Sequence, residues 1–412
     1  MNIHVDVNRI IAELDQLAGF SGGEPPGVTR IVFTPDDMRA RGFLKAKFAE
    51  AGLDVREDPV GNTFARWHGT ARDLPAIATG SHMDAIPNSG RFDGTVGVLG
   101  GLEAIRALQT AGYQPRRSIE LVLFTSEEPT RFGLGCLGSR LLAGVLAPEQ
   151  ASLLRDSEGS TLDEVRSAAG FHGNLEEVKL PEGYYEAFLE LHIEQGPSLE
   201  REGIALGVVT DIAAPASLRI AIEGEGGHAG AVLMPERRDA LTAAAELILG
   251  VESAALSTGV MDTVATTGIC DVFPGAVNSV PSRVKLEIDV RDVEAERRNV
   301  VLGLVEQAAR TIADKRGVKV HTELLNADPP ARCAQFIINA LVQSCAKEKY
   351  THKEMISRAY HDSLFMARVT PVGMLFIPCR NGVSHRPDEY SAPESIGDGA
   401  RVLAHALADL AA

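Results

Sequence analysis

The chain has 412 residues, of which 45% are hydrophobic, so it is long enough for two domains with sizeable cores. Its 56 acidic residues outnumber its 40 basic residues and produce a formal net charge of −16. Because Lys and Arg form no cluster that outweighs this acidic background, we expect no nucleic-acid partner, and a small-molecule substrate is favoured.

The N-terminal segment MNIHVDVNRI lacks the basic start and apolar core of a secretory signal. No stretch reaches the roughly 20 apolar residues that a membrane span needs, so no membrane partner is expected. These features predict a soluble cytoplasmic protein. The five cysteines have no paired spacing, which predicts reduced and mostly buried thiols rather than disulfides or a cysteine zinc site.

Short apolar runs then alternate with helical periodicity. The pattern predicts a strand in LPAIATGSH (74–82), a helix in GTVGVLGGLEAIRALQTAG (94–112) and a strand in SIELVLFTSEE (118–128). Such alternation indicates an α/β fold in which helices cover a parallel or mixed sheet. Ligands in this architecture bind where strands end, at the carboxyl edge of the sheet.

The pattern of predicted helices and strands changes near residue 213. A strand, a helix, two strands, a helix and a final strand follow one another between residues 213 and 326. This order is typical of the split βαβ, ferredoxin-like α+β sandwich. We therefore predict a catalytic domain formed by residues 1–212 and 327–412, and an inserted lid and dimerisation domain formed by residues 213–326.

Histidine and acidic residues concentrate at predicted strand ends and glycine-rich turns of the catalytic domain: His82, Asp84, Asp93, Glu127, Glu128, His192 and His385. Divalent transition metals at neutral pH bind imidazole and carboxylate groups, and two metals can share one bridging carboxylate. The set is sufficient for two metal ions. Asp84 follows His82 by two residues, a spacing that suits it to orient the His82 ring.

The adjacent glutamates in LVLFTSEEPTRFG (121–133) can divide the work of a hydrolytic site. Glu128 would bind metal, while Glu127 would face the activated water and take its proton. Each feature alone has a simpler explanation, since His-x-Asp is often a surface pair and Glu-Glu is often a solvated helix start. Their conjunction at the loop edges of one α/β domain favours the metal site.

Several stretches carry a resemblance that spans the chain, among them GSHMDAIPNSGRFDGTVGVLGGLEAI (80–105), LFTSEEPTRFGLGCLGSRLLAG (123–144), AFLELHIEQGPSLE (187–200), GEGGHAGAVLMPERRDA (224–240) and GVSHRPDEYS (382–391). They resemble the dinuclear metallohydrolases that include aminoacylases and glutamate carboxypeptidases. EEPTRFG with LHIEQGP narrows the resemblance to the amidase, hydantoinase and carbamoylase group of that family. SRAYHDSLFMAR (357–368) narrows the expected substrate to ureidoglycolate.

The resemblance implies a role for each candidate ligand. Asp93 is similar to the bridging carboxylate, Glu128 and His385 complete one metal site, and His82 and His192 complete the other. Glu127 resembles the general base. Two divalent metal ions per subunit are expected, with manganese as the usual metal of the group and zinc as the alternative, because such ligands select weakly between them.

The resemblance also implies contacts to the substrate. His228 in the inserted domain is expected to reach the active site of a partner subunit and stabilise the oxyanion, in a homodimer formed through the inserted domains. Asn278 and Arg291 resemble ligands of the substrate carboxylate. Further polar contacts to the substrate are expected from Gln195, Tyr360 and His361.

The expected reaction is the metal-dependent hydrolysis of ureidoglycolate to glyoxylate, ammonia and carbon dioxide, a step of purine (allantoin) catabolism. Allantoate and N-carbamoyl-L-amino acids remain alternative substrates, because they differ mainly in the group on the carbon that bears the carboxylate. A more distant alternative is a metal-dependent binding protein without turnover, whose signature would be loss of the base or of a ligand. Neither loss occurs in this sequence.

Overall fold

The computed structural model describes Met1 and residues 3–412, and these divide into two compact units. The first unit comprises Met1–Thr210, Arg332–Ser357 and His361–Ala412, and the second comprises Asp211–Ala331 and Arg358–Tyr360. The sequence analysis placed the insertion at residues 213–326. The second unit also takes the short segment Arg358–Tyr360, which lies far from the insertion in sequence.

Within the described residues the chain forms twelve α-helices: α1 (Val7–Ala18), α2 (Pro35–Glu50), α3 (Thr95–Thr110), α4 (Leu137–Leu142), α5 (Pro148–Ser152), α6 (Leu162–Ala168), α7 (Ser198–Glu202), α8 (Ala240–Leu256), α9 (Ala295–Arg316), α10 (Gln335–Glu348), α11 (Asp362–Met366) and α12 (Pro393–Leu410). The predicted helix at 94–112 is confirmed as α3, since apolar residues at helical spacing make its buried faces. None of the helices that the structure describes is long and apolar enough to cross a membrane.

The strands of the described chain are β1 (Val28–Arg30), β2 (Asp54–Glu57), β3 (Thr63–Trp67), β4 (Ala76–His82), β5 (Ala85–Ser89), β6 (Ile119–Phe124), β7 (Tyr185–Ile193), β8 (Leu206–Ile212), β9 (Ala214–Glu223), β10 (Gly227–His228), β11 (Val264–Phe273), β12 (Ser279–Val280), β13 (Arg283–Asp292), β14 (Lys319–Ala327), β15 (Ala331–Arg332), β16 (His352–Ser357) and β17 (Val372–Ile377). The predicted strands at 74–82 and 118–128 are confirmed as β4 and β6, although β6 ends at Phe124, before the two glutamates.

A nine-stranded sheet forms the centre of the first unit. Its order is β15-β8-β17-β7-β4-β6-β3-β2, and β16 pairs with β8. The four central strands β17, β7, β4 and β6 are parallel, whereas β8 pairs with β17, β3 with β6, and β2 with β3 in the antiparallel direction. Every residue of β4, β6 and β17 is buried, as expected for strands covered on both faces. The predicted mixed, helix-covered sheet is confirmed, and its four parallel strands end at one edge.

The second unit contains a four-stranded antiparallel sheet in the order β11-β13-β9-β14. Alternate residues of β9, such as Leu218, Ile220 and Ile222, are buried against α8 and α9 in one apolar core. Residues between them face away from this core, and Arg219 forms ion pairs with Glu287 and Glu323. Along the chain, the four strands of this sheet and the two helices follow in the order β9, α8, β11, β13, α9 and β14, and the short strands β10 and β12 pair separately.

The cysteines behave as the sequence analysis expects. All five are free thiols, and four of them are buried. The exception is Cys270, which is exposed on β11.

Candidate metal-dependent active site

The parallel strands deliver the candidate ligands to one edge of the sheet. His82 is the last residue of β4, and His192 is the last but one of β7. Glu127 and Glu128 follow the end of β6, and His385 follows β17. Because carboxyl ends of parallel strands meet at the same edge, residues that are far apart in sequence are close in space.

Asp93 lies at the centre of this cluster, just before α3 begins. Its Oδ1 is 3.6 Å from Nε2 of His82 and 3.2 Å from Nε2 of His192. Its Oδ2 is 3.3 Å from Nε2 of His385, which in turn lies 3.2 Å from Oε1 of Glu128. Two ligand groups therefore share Asp93: His82–Asp93–His192 and Asp93–Glu128–His385. The structure brings together all five residues that the sequence analysis assigned to metal binding.

The geometry of these groups fits divalent cations. Two ligands bound at about 2.1 Å in a tetrahedral site are about 3.4 Å apart, close to the separations around Asp93. The Nδ1 atoms of His82 and His192 face the carbonyl oxygens of Asp84 and Ile193 at 3.1 and 2.9 Å. These contacts leave each Nε2 directed at Asp93, the arrangement that metal-binding imidazoles use.

The electrostatics of the cluster also favour cations. Hydrogen bonds to Asp93 and Glu128 raise the pKa of His385 to about 11. Burial tends to raise the pKa of Asp93, but its hydrogen bonds to His192, His385 and His82 hold that pKa well below its usual range. A site that attracts positive charge this strongly can exchange protons on its imidazoles for metal ions.

The two adjacent glutamates take different positions because of the turn that carries them. Ser126 has a positive φ of 57°, and the Cys136 N–H donates to the Glu127 carbonyl at 2.7 Å. Glu128 lies beside His385, whereas Oε2 of Glu127 is 3.7 Å from Nε2 of His82. Burial raises the pKa of Glu127 well above its usual range, and the charge of Glu128 adds to the effect.

The carboxylate of Asp84 holds the turn that carries Glu127 and Glu128, and it does not hold the His82 ring. Its two oxygens accept the N–H groups of Glu127 and Glu128 at 3.1 and 3.0 Å. The carboxylate is 3.8 Å from Nδ1 of His82, and that ring nitrogen instead faces the Asp84 main-chain oxygen. Asp84 orients the His82 ring through its main-chain carbonyl, because the two-residue spacing brings that carbonyl closer to Nδ1 of His82 than the Asp84 carboxylate.

Two residues that hold Asp93 are not among the predicted site residues. Glu389 accepts the N–H groups of Phe92 and Asp93 at 2.8 and 3.1 Å, and burial raises its pKa to about 7. The Ser384 hydroxyl lies 2.7 Å from Oδ2 of Asp93 and 3.0 Å from Oε2 of Glu389, and its one proton can be donated to either carboxylate. Ser384 and Glu389 lie one residue before and four residues after His385 in GVSHRPDEYS, and this proximity to a predicted ligand was the signal that the sequence offered.

Gln195 also contacts Asp93 in this structure. Its Nε2 donates to Oδ2 of Asp93 at 2.7 Å, and its backbone has a positive φ of 54°. Its Oε1 is buried and has no hydrogen-bond partner among the described residues. The amide therefore offers one unused acceptor at the cluster.

Glu190 and His361 form a third group with His192. Glu190 accepts hydrogen bonds from the hydroxyls of Ser81 and Ser363 at 2.8 and 2.6 Å, and from the Ser363 N–H. These donors occupy both oxygens, so Glu190 supports the site as a hydrogen-bonded anchor. Its position two residues before His192 on β7 places both side chains on one face of the strand. The His361 ring packs edge-on against His192, with centroids 4.4 Å apart.

The remaining predicted substrate contacts lie in the second unit. His228 on β10 pairs with Ser279 on β12, and Asn278 precedes that partner. Arg291, on β13, donates from Nε to Asp289 at 2.7 Å and lies over the Tyr360 ring at 5.6 Å. His228 and Asn278 are therefore neighbours, and Arg291 and Tyr360 form a second pair.

The fold and the two ligand groups define a metallohydrolase, and comparison with known proteins agrees. Residues 78–409 match Peptidase family M20/M25/M40, and the chain belongs to that family. This membership confirms the predicted class of hydrolase.

Individual relatives are similar over the whole chain. Ureidoglycolate hydrolase of Arabidopsis thaliana is 52% identical over 416 residues, covering 99% of this chain and 87% of the relative. The crystal structure of AtUAH in complex with glyoxylate has 51% identity and a TM-score of 0.92, covering 99% and 98% of the two chains. N-carbamoyl-L-amino acid amidohydrolase of Geobacillus stearothermophilus is 40% identical, covering 95% and 96%.

Proposed function

We propose that this protein hydrolyses ureidoglycolate to glyoxylate, ammonia and carbon dioxide. The observation that carries the proposal is the pair of ligand groups joined by Asp93, with the buried carboxylate of Glu127 beside them. The substrate assignment is supported by the similarity to the Arabidopsis ureidoglycolate hydrolase along the whole chain.

The chemistry of a ureido group explains why such a site is needed. Two nitrogens donate electrons into the carbonyl, so the carbon is a poor electrophile. When bound, two divalent cations would polarise this carbonyl and lower the pKa of a water toward roughly 7. His82, Asp93 and His192 would hold one cation, and Asp93, Glu128 and His385 the other. Manganese is the proposed metal, since imidazole ligands disfavour magnesium.

Glu127 is the proposed general base. Burial raises the pKa of Glu127, which makes the carboxylate a stronger proton acceptor. It takes a proton from the attacking water and passes it to the terminal nitrogen, which leaves as ammonia. The remaining N-carboxy group loses carbon dioxide, and the resulting aminohydroxy acid eliminates a second ammonia to give glyoxylate.

Further side chains would orient the substrate. Arg291 would bind the substrate carboxylate in a two-pronged contact, Asn278 would be a further ligand of that carboxylate, and Tyr360 would supply another polar contact. Asp289 accepts from Nε and Nη2 of the guanidinium, and the Arg358 carbonyl accepts from Nη1 at 3.4 Å, so the substrate carboxylate would replace part of these contacts. Gln195 would accept a ureido N–H through its unused Oε1, and His361 would supply a further polar contact.

His228 is the proposed donor to the oxyanion, acting in the active site of the partner subunit of a homodimer. Exposed apolar side chains on and near α8 and β11, two elements that contact each other in the second unit, support a subunit interface there, because exposed apolar surface of this kind is a feature of protein–protein interfaces. They are Leu249 and Leu256 on α8, Met261 after it, and Val264 and Ile269 on β11.

An ammonia-release assay tests both parts of the proposal. Protein depleted of metal by prolonged chelation should be inactive, and manganese should restore activity better than magnesium. Of ureidoglycolate, allantoate and N-carbamoyl-L-alanine, the first should have the highest kcat/KM. Preference for another substrate would make the substrate assignment wrong, but it would not contradict the proposed metal centre. Full activity of verified metal-depleted protein would contradict the metal centre itself.

A further inference from the structure

The loop that carries His228 is held by hydrogen bonds rather than by burial. The N–H groups of Ala231 and Val232 donate to the His228 carbonyl at 3.0 and 3.1 Å, and the Ala229 N–H donates to Asn278 at 2.9 Å. Residues 228–232 are exposed or half-buried. A segment with so little buried apolar surface opens easily unless other contacts restrain it.

A further hydrogen bond in this loop determines which ring nitrogen of His228 can donate. The Gly230 N–H donates to Nδ1 of His228 at 3.1 Å. A neutral imidazole that accepts at Nδ1 carries its proton on Nε2. The loop therefore prepares Nε2–H as a donor, and it does so only while Gly230 keeps its position.

Arg237 joins the two sides of this loop. Its Nε donates to the carbonyl of Val232 at 3.1 Å, and its Nη2 donates to the carbonyl of Ala229 at 2.5 Å. Gly230 lies between these two carbonyls in sequence. Because a guanidinium is planar and its donors have a fixed spacing, the two contacts set the distance across the loop.

We propose that Arg237 is a positioning residue for the reaction. By bridging Ala229 and Val232 it keeps the Gly230 N–H on Nδ1 of His228, and thereby keeps the Nε2–H donor in place for the oxyanion. The inference rests on the proposed oxyanion role of His228, and it adds the group that makes that donor effective.

The neighbouring residue provides a matched control. Arg238 forms an exposed ion pair with Glu225 at 2.7 Å, with 55% and 66% of the two side chains exposed. Arg238→Ala therefore removes the same charge at the next position without touching the hydrogen bonds of the loop. Arg237→Lys retains the charge but loses the planar two-point contact.

Steady-state kinetics and hydrogen–deuterium exchange would test the proposal on the manganese-loaded full chain. Misplacing a catalytic group by about 1 Å can lower turnover about 100-fold, so Arg237→Ala and Arg237→Lys should lower kcat roughly 10- to 100-fold with little change in KM. Arg238→Ala should stay within about twofold of the native rate. Amides of residues 227–233 should exchange faster in both Arg237 variants and at the native rate in Arg238→Ala.

A double variant separates positioning from a general structural role. If Arg237 acts through His228, adding Arg237→Ala to His228→Ala should cause no further loss of kcat. A further loss in that background, or native exchange of residues 227–233 in Arg237→Ala, would overturn the proposal. If exchange accelerates but His228→Ala retains the native rate, the oxyanion role of His228 fails and the restraint of the loop by Arg237 stands.

Discussion

Gly94→Ala would place a methyl group against the ring of His82. An ideal Cβ at this position lies 2.5 Å from both Cδ2 and Nε2 of that ring. Carbon atoms in contact are normally about 3.5–4.0 Å apart, so the ring would have to move by about 1 Å. His82 is buried and its Nδ1 is held by the Asp84 carbonyl, so a shift of the ring moves Nε2 away from Asp93.

The backbone contributes separately, because Gly94 has a φ of 65°. Its ψ is −45°, which lies outside the αL region, and a residue with a Cβ in such a sparsely populated conformation costs about 1–3 kcal/mol. Gly112 separates this strain from the collision, since its φ is 74° and nothing lies within 4 Å of its ideal Cβ. Both alanine variants should lose stability through backbone strain, by about 1–3 kcal/mol, and Gly94→Ala should lose more because of the collision with His82.

Metal content per chain, thermal unfolding and the rate of ammonia release would measure these effects. Gly94→Ala should lose metal from the group formed by His82, Asp93 and His192, and its kcat should fall about 100-fold. Gly112→Ala should retain both metals and native turnover. Equal metal content and turnover in the two variants would refute the argument that Gly94 sets the position of His82.

Three further experiments test the roles proposed for the metal ligands, the general base and the substrate ligands. Glu127→Gln should retain both metals, but its kcat should fall about 100- to 10,000-fold. Glu128→Gln should lose metal as well as turnover. Near-native turnover of Glu127→Gln would make the assignment of Glu127 as general base wrong. Arg291→Lys should raise KM at least about tenfold with metal content intact, because lysine cannot make the two-pronged contact; native kinetics would move the carboxylate site elsewhere. The His228→Ala and Glu127→Gln dimers, each nearly inactive alone, should recover roughly a quarter of native activity after random subunit exchange, since about half the dimers are mixed and each mixed dimer has one intact site. No recovery after exchange is verified by mass spectrometry would contradict action in the partner subunit.

Local patterns predicted the elements that position the site. The strands β4 and β6 and the helix α3 fall within the segments that periodicity assigned to them. Periodicity succeeds here because burial on one or both faces imposes a spacing that is visible within a few residues. It was less accurate at element ends, as at β6, because hydrogen bonding at the turn rather than hydrophobicity ends the strand.

The supporting contacts of the site escaped prediction because they join distant parts of the chain. Glu389 accepts the N–H of Phe92 across 297 positions, and Glu190 accepts the Ser363 hydroxyl across 173. No local pattern encodes such a pair. Asp84 shows a related difficulty, since its spacing from His82 indicated a contact but not which of its oxygens would make it.

The sequence by itself determined which residue types stand at the ends of the parallel strands, and hence that imidazoles and carboxylates would meet at one edge of the sheet. Only the tertiary structure decided how they are grouped, with one oxygen of Asp93 facing His82 and His192 and the other facing His385. The grouping depends on the loop conformations that the Glu389 and Ser384 hydrogen bonds impose on Asp93. Those conformations depend on contacts between residues that are far apart in the chain, and the spacing of residues along the sequence does not show such contacts.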